Sequence, residues 1–214
     1  MTSPTPDMPQ IAEDQTSLRR MPSQRRSRER VERMLGCAAE VISKKGSDAM
    51  RMSEVARMAG VSIGSLYQYF PDKSAIVRTL AEHYNAEGRK CIEEGLAHVA
   101  TMDELCDAFG QLVDAYYEMF ISEPVICDIR SGTQADKALR DIELADSRAN
   151  GAVLAEALRR VRPGSDPHEL TTSTFFIMHL GEATMRLAIS VERVEGDALV
   201  AAYKRMALAE LRRN

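Results

Sequence analysis

The chain has 214 residues, with 28 Lys and Arg against 32 Asp and Glu and a formal net charge of −4. That length buries a core without staples, and the acidic total, taken whole, argues against a nucleic-acid partner. A run of about 18 apolar residues is absent, which excludes a transmembrane helix, and the N-terminus lacks an apolar signal core; a cytoplasmic protein with no membrane partner is expected.

The distribution of charge points the other way. Residues 19–90 hold 15 Lys and Arg against 8 Asp and Glu, and residues 91–214 hold 13 against 21. The basic portion suits a phosphate backbone, and the acidic portion reads as a separate unit that repels one. Four scattered cysteines, Cys37, Cys91, Cys106 and Cys127, form no CxxC pair and read as free thiols.

In chain order, residues 1–24 are rich in Pro, Ser, Thr and Gln and read as a disordered tail. Its end is basic, with Arg19, Arg20, Arg25, Arg26, Arg28 and Arg30. Such a run is either a solvated charge cluster or an arm reaching phosphates or the minor groove. A first helix follows, with Val31, Met34, Leu35, Ala38, Val41 and Ile42 on one stripe. It ends at Lys44-Lys45-Gly46, cations and glycine where a helix C-terminus favours them. A short second helix around Ser53-Glu54-Val55-Ala56 reaches the turn Ala59-Gly60.

The segment from Val61 to Lys73 carries the most information. Leu66 and Phe70, four apart, share one helix face, and Ile63 extends that stripe at its edge. Ser62 is a good N-cap, Gly60 suits the end of the preceding helix, Pro71 stops this one, and Asp72 caps the next. Ser65, Tyr67, Gln68 and Tyr69 are left facing outward. Hydroxyl and phenol groups there suit phosphates, and Gln68 suits a base edge. Lys73 stands beside the N-terminal amides of the following helix, and both favour a phosphate. The layout is a helix-turn-helix, whose second helix lies in a DNA major groove.

Residues 26–85 resemble the DNA-binding domain of the tetracycline-repressor (TetR) family of bacterial transcription regulators. Arg33 to Lys45 fits its first helix, Ser53 to Ala56 its second, Ala59 to Ser62 its turn, and Ser65 to Phe70 with Lys73 its recognition helix and phosphate-binding lysine. The resemblance implies that Ile63, Gly64, Ser65 and Gln68 face bases and that Ser65, Tyr67, Tyr69 and Lys73 hold phosphates. Ser62 belongs to the same DNA-facing set. Arg51 departs from the Ser or Thr usual at its position; either Ser53 caps the second helix instead or Arg51 contacts DNA directly.

A fourth helix from Asp72 or Lys73 towards Ala97 buries Ile76, Val77, Leu80 and Tyr84, and joins the DNA-reading unit to the rest. Beyond it the pattern is helical without a convincing strand: Met102–Ile121, a short piece from Val125 to Ile129, Ala135–Arg160, His168–Val191, a turn at Glu195-Gly196-Asp197, and Ala198–Arg213. The expected fold is all-α, of about nine helices, as the resemblance also implies. The organisation is a tail to residue 24, a helix-turn-helix domain over 25–71, a connecting helix over 72–97, and a ligand-binding and dimerisation domain over 98–214.

The last two helices are too apolar for one-sided burial, and two-fold operators demand a dimer, so they read as a homodimer interface. The family resemblance points to the same helices. It also implies an unidentified small-molecule effector in an apolar pocket, for which Tyr116, Tyr117, Met119, Phe120, Phe175, Phe176, Met178 and His179 are candidate walls, with Arg130, Gln134 and His179 fixing a polar group. Each of these is also readable as plain core.

These features describe a sequence-specific DNA-binding regulator rather than an enzyme, with no cofactor, and the family resemblance implies a ligand-responsive repressor that releases a palindromic operator when a small, largely apolar or aromatic molecule binds. There is no glycine-rich phosphate loop, GxSxG or HExxH. His83, Glu87 and Cys91 share a helix face and read as solvated, the alternative being a metal site. Two rivals stay open: a redox-responsive regulator sensing through Cys127, and an architectural DNA-binding protein without a ligand.

Overall fold

A computed structural model describes residues 16–132 and 136–213. Its described residues form nine α-helices and no strand: α1 (Thr16–Ala49), α2 (Met52–Met58), α3 (Ile63–Tyr69), α4 (Lys73–Leu96), α5 (Met102–Ser122), α6 (Pro124–Gly132), α7 (Lys137–Val161), α8 (Pro167–Ala188) and α9 (Arg193–Leu211). The all-α fold read from the sequence is therefore the one observed.

Helix boundaries follow local chemistry. In α1 the backbone leaves helical geometry at Gly46, where φ is +81°. Thr101 and Glu104 close a reciprocal capping box on α5. Asp72, Asp136 and Asp166 accept backbone N–H groups at the starts of α4, α7 and α8.

Three boundaries differ from the sequence reading. Helix α1 begins at Thr16, inside the stretch that the composition marks as a tail. Residues 1–15 lie outside the described residues. Helix α2 takes Arg51 as its N-cap position without a side-chain cap, and Ser53 sits inside the helix. Glu195-Gly196-Asp197 is no turn but the start of α9. Gly196 is needed there for close packing: a Cβ on it would stand 2.5 Å from the Ala188 carbonyl oxygen and 2.6 Å from the Tyr117 hydroxyl.

Two apolar cores result. The first gathers Met34, Ala38, Ile42, Val55, Leu66, Phe70, Ile76 and Leu80, and it also takes Val125, Ile129 and Leu139 from α6 and α7. The second lies among α4, α5, α7, α8 and α9, around Leu105, Phe109, Leu154, Leu158, Ile177 and Met185. Helix α4 belongs to both, and Tyr84 packs against each. At its far side α6 lies on the end of α1.

Candidate functional site

Helix α3 is held at both ends and along one side. The Ser62 hydroxyl accepts the Ser65 N–H at 3.1 Å. A Schellman pair closes α2 before it: Val61 N–H donates to the Ala56 carbonyl and Gly60 N–H to that of Arg57, with Gly60 at φ +66°. Leu66 is fully buried and Phe70 nearly so. Burying the Leu66 side chain stabilises this unit by about 1.5–3 kcal/mol.

The polar face is left free. Ser62, Gly64, Tyr67, Gln68 and Tyr69 are exposed, Ser65 is half-buried, and Arg51 is exposed at the start of α2. Ile63, expected at the edge of the core stripe, is instead 43% exposed. It is the first residue of a seven-residue helix, and one turn suffices for Leu66 and Phe70 to anchor it. Tyr69 Oη and Ser27 Oγ share a hydrogen bond of 3.2 Å, tying α3 to α1 beside Arg25, Arg26, Arg28 and Arg30. Lys73 Nζ donates to the Asp48 carbonyl at 3.0 Å, which holds the ammonium close to the α1–α2 junction.

A cavity of about 160 Å³ opens in the second core, between α4, α5, α6, α7, α8 and α9. Ile92, Phe109, Leu112, Val113, Met119, Leu154, Met178 and Met185 make most of its wall. One side is polar. The Arg130 guanidinium is buried, donates to Asn85 Oδ1 at 2.6 Å, and lies 3.5 Å from Glu182 Oε2. The Tyr116 hydroxyl donates to Glu182 Oε1 at 2.5 Å. Asp146 accepts from Arg89 Nη1 at 3.1 Å and from Asn150 Nδ2 at 3.0 Å.

Burial dominates the electrostatics. It pushes the Asp146 carboxyl up to about 6, against the pull of the Arg130 and Arg89 cations. It raises the Tyr116 hydroxyl well above its ordinary value. Burial works against the Arg130 charge, but Glu182 and its neighbours outweigh it and hold the guanidinium firmly protonated.

The sequence-read pocket residues separate here. Tyr116 and Arg130 line the cavity, with Met119 and Met178. Phe120 is buried behind it, edge-on to Tyr116 at 4.9 Å. Tyr117, one residue and 100° around α5, turns away to α9 beneath the Arg193 guanidinium, 5.2 Å from its ring. Phe176 is 61% exposed on the outer side of α8. His179 sits at the α7–α8 seam, Nδ1 3.2 Å from Ser147 Oγ, and stacks on Phe175, which carries Arg148 on its ring. Gln134 lies outside the described residues. Sequence reasoning missed Asn85, Asp146, Asn150 and Glu182. A readable signal existed: Asp146, Asn150 and Leu154 follow at i, i+4 and i+8, so two polar residues occupy a buried stripe.

His83 Nε2 lies 3.3 Å from Glu87 on an exposed face, and no group of three metal-ligating side chains occurs among the described residues.

A capped helix-turn-helix joined by one continuous helix to a cavity-bearing helical body defines a two-part DNA-binding regulator. Residues 35–80 match the family model of bacterial regulatory proteins of the tetR family, and residues 103–214 match the tetracyclin repressor-like C-terminal domain. The chain belongs to the TetR family, whose members are transcription regulators rather than enzymes. It is 28% identical over 182 residues to the HTH-type transcriptional repressor KstR of Mycobacterium tuberculosis, covering 79% of this chain and 82% of that one. Among solved structures, a TetR-family regulator from Streptomyces coelicolor superposes with a TM-score of 0.68 at 22% identity, over 86% of this chain and 97% of that one. FadR of Bacillus subtilis, in complex with stearoyl-CoA, gives 0.56 at 20% identity, over 84% and 96%.

Proposed function

We propose that the protein is a ligand-responsive repressor that holds a palindromic operator as a homodimer and releases it when a small, largely apolar or aromatic molecule enters the cavity, in the cytoplasm. One observation carries the reading. Helix α4 begins at Lys73, beside the α3 face, and eleven residues later supplies Tyr84, then Asn85, Gly88 and Ile92, to the cavity wall. A rigid helix touching both places couples them. A ligand that binds two settings of α4 with different affinity shifts their populations. The recognition helices of a dimer must stand about 34–36 Å apart to enter successive major grooves. The Bacillus subtilis FadR fold holding stearoyl-CoA supports a ligand site in this architecture, and the repressor KstR supports the sign of regulation.

The DNA face is formed by Arg51, Ser62, Ile63, Gly64, Ser65, Tyr67, Gln68, Tyr69 and Lys73. The dimer face is formed by Phe176, Leu180, Ala183 and Leu187 of α8, at i, i+4, i+7 and i+11, with Leu199, Ala202 and Met206 of α9. Phe176, Leu187 and Met206 are all exposed in the single chain, an apolar area that a second copy removes from water.

The redox alternative has less support: Cys127 is half-buried on α6, and burial raises the Cys37 thiol away from the reactive thiolate. Selection of bound duplexes from a random library tests the main reading, with Tyr67→Ala and Lys73→Ala proteins alongside. Enrichment of one palindrome is expected, with both variants binding it more weakly than the parent chain. Binding without enrichment supports the architectural rival, and equal spacing of the recognition helices with and without a tight ligand sinks the switching step.

A further inference from the structure

Two acceptors on the cavity wall lack hydrogen-bond partners among the described residues: Asn150 Oδ1 and Glu182 Oε2. Both residues are only 7% exposed, and both line the cavity. Leaving a buried acceptor unpaired forfeits its hydration without return, so such atoms ordinarily have a partner. Glu182 Oε2 is partly compensated, because the Arg130 guanidinium stands 3.5 Å away. Asn150 Oδ1 has no such relief. Its orientation is also fixed, since the Nδ2 end of the same amide donates to Asp146 Oδ2, and Asp146 is in turn held by Arg89. The amide therefore presents an acceptor to the cavity and keeps its donor elsewhere.

Charge narrows the partner. The polar side already pairs two guanidiniums, Arg89 and Arg130, with two carboxylates, Asp146 and Glu182. An ammonium entering this site would be desolvated without a spare anion, and a carboxylate would face two resident ones. A neutral donor meets neither cost. Size narrows it further: a dry apolar cavity of about 150 Å³ accommodates benzene, close to the volume of this one, about 160 Å³.

We propose that the effector is an uncharged, single-ring-sized molecule carrying a hydroxyl group, which donates its hydrogen bond to Asn150 Oδ1 while the ring rests against the Met119, Leu154 and Met178 side of the cavity. This rests on the reading of the cavity as the effector site. Asp146 and Arg89 act as positioning residues, since they hold the amide in the accepting orientation.

Calorimetric titration of the full chain with four matched probes tests it: 4-methylphenol, 4-methylanisole, 4-methylbenzoate and 4-methylbenzylamine. The phenol should bind at least about tenfold more tightly than its methyl ether, a ratio worth about 1.4 kcal/mol, and more tightly than either ion. In Asn150→Leu the phenol and ether should converge to within about threefold. Equal binding of phenol and ether to the wild type overturns the hydroxyl assignment and leaves the cavity reading intact, as does preference for either ion. No heat from any of the four overturns the cavity reading and this inference with it. Should Asn150→Leu fail to fold, the four-probe comparison on the wild type decides alone.

Discussion

Asp128 Oδ2 accepts the backbone N–H of Ser47 at 3.0 Å, across 81 residues of sequence. Ser47 stands at the bend where α1 hands over to α2, and Asp128 stands on α6, two residues before the Arg130 that lines the cavity. Gly46 leaves just enough room, because a Cβ there would meet Asp128 Oδ1 at 3.1 Å. This bond is a second link, beside α4, between the cavity and the helix-turn-helix.

Replacing Asp128 with Ala should therefore cost about 1.5–3 kcal/mol, the usual worth of a hydrogen bond to a charged group. Thermal melting reads that loss. Binding of 4-methylphenol should be unchanged, while its effect on operator affinity, followed by fluorescence anisotropy, should weaken. Asp128→Asn keeps an acceptor and should recover most of both. An unchanged ligand response in Asp128→Ala would assign the coupling to α4 alone.

Lys73 lies at the protein surface and reaches only Asp48, through its carbonyl at 3.0 Å and its carboxylate at 3.9 Å, so its removal should spare the fold. Operator affinity of Lys73→Ala should fall uniformly across sequences. The slope of log affinity against log salt should shrink by about two for a dimer, one phosphate per protomer. A change in sequence preference would instead mean that Lys73 touches bases.

Much of the helix-turn-helix was legible because its signals are local. Ser62, Gly60, Pro71 and Asp72 each act within four residues, and Leu66 and Phe70 need only one turn to define a face. The cavity was less legible because helical period says which residues point inward but not towards which neighbour. Tyr116 and Tyr117 are equally aromatic and equally buried in pattern, yet one reaches Glu182 on α8 and the other packs beneath Arg193 of α9. Gly196 misled for the same reason. Between two acids it reads as a turn, whereas its purpose is the closeness of α8, α9 and α5, a tertiary fact.

That closeness gives a third expectation. Gly196→Ala forces a methyl into the Ala188 carbonyl and the Tyr117 hydroxyl, and backbone cannot yield as a flexible side chain can. A loss of about 1–3 kcal/mol is expected by thermal or urea melting. Because α9 is one of the two helices of the proposed dimer face, the dimer should also dissociate at higher protein concentration, which sedimentation reads.

Asp146 sets a pH dependence. Its folded value is raised to about 6 from an ordinary 3.8. Between those values the folded chain holds a proton that the unfolded chain has released, so stability falls as pH rises from about 3.8 to about 6 and levels off beyond. Asp146→Asn should remove that fall. The melting temperature of the variant minus that of the wild type should grow as pH rises from 4 to 7, and a difference that is constant with pH would contradict the shift.

Gly151 on α7 decides which walls of the cavity can yield. A Cβ there would stand 2.8 Å from the Cα of Phe175, so α7 and α8 meet backbone to backbone with no side chain between them to take up slack. Asn150 and Glu182 ride on that pair. In mechanical terms α7 and α8 form the fixed jaw of a vice, so the movement that the proposed switch requires falls to Asn85 on α4 and Arg130 on α6, helices that also pack in the core of the DNA-reading unit.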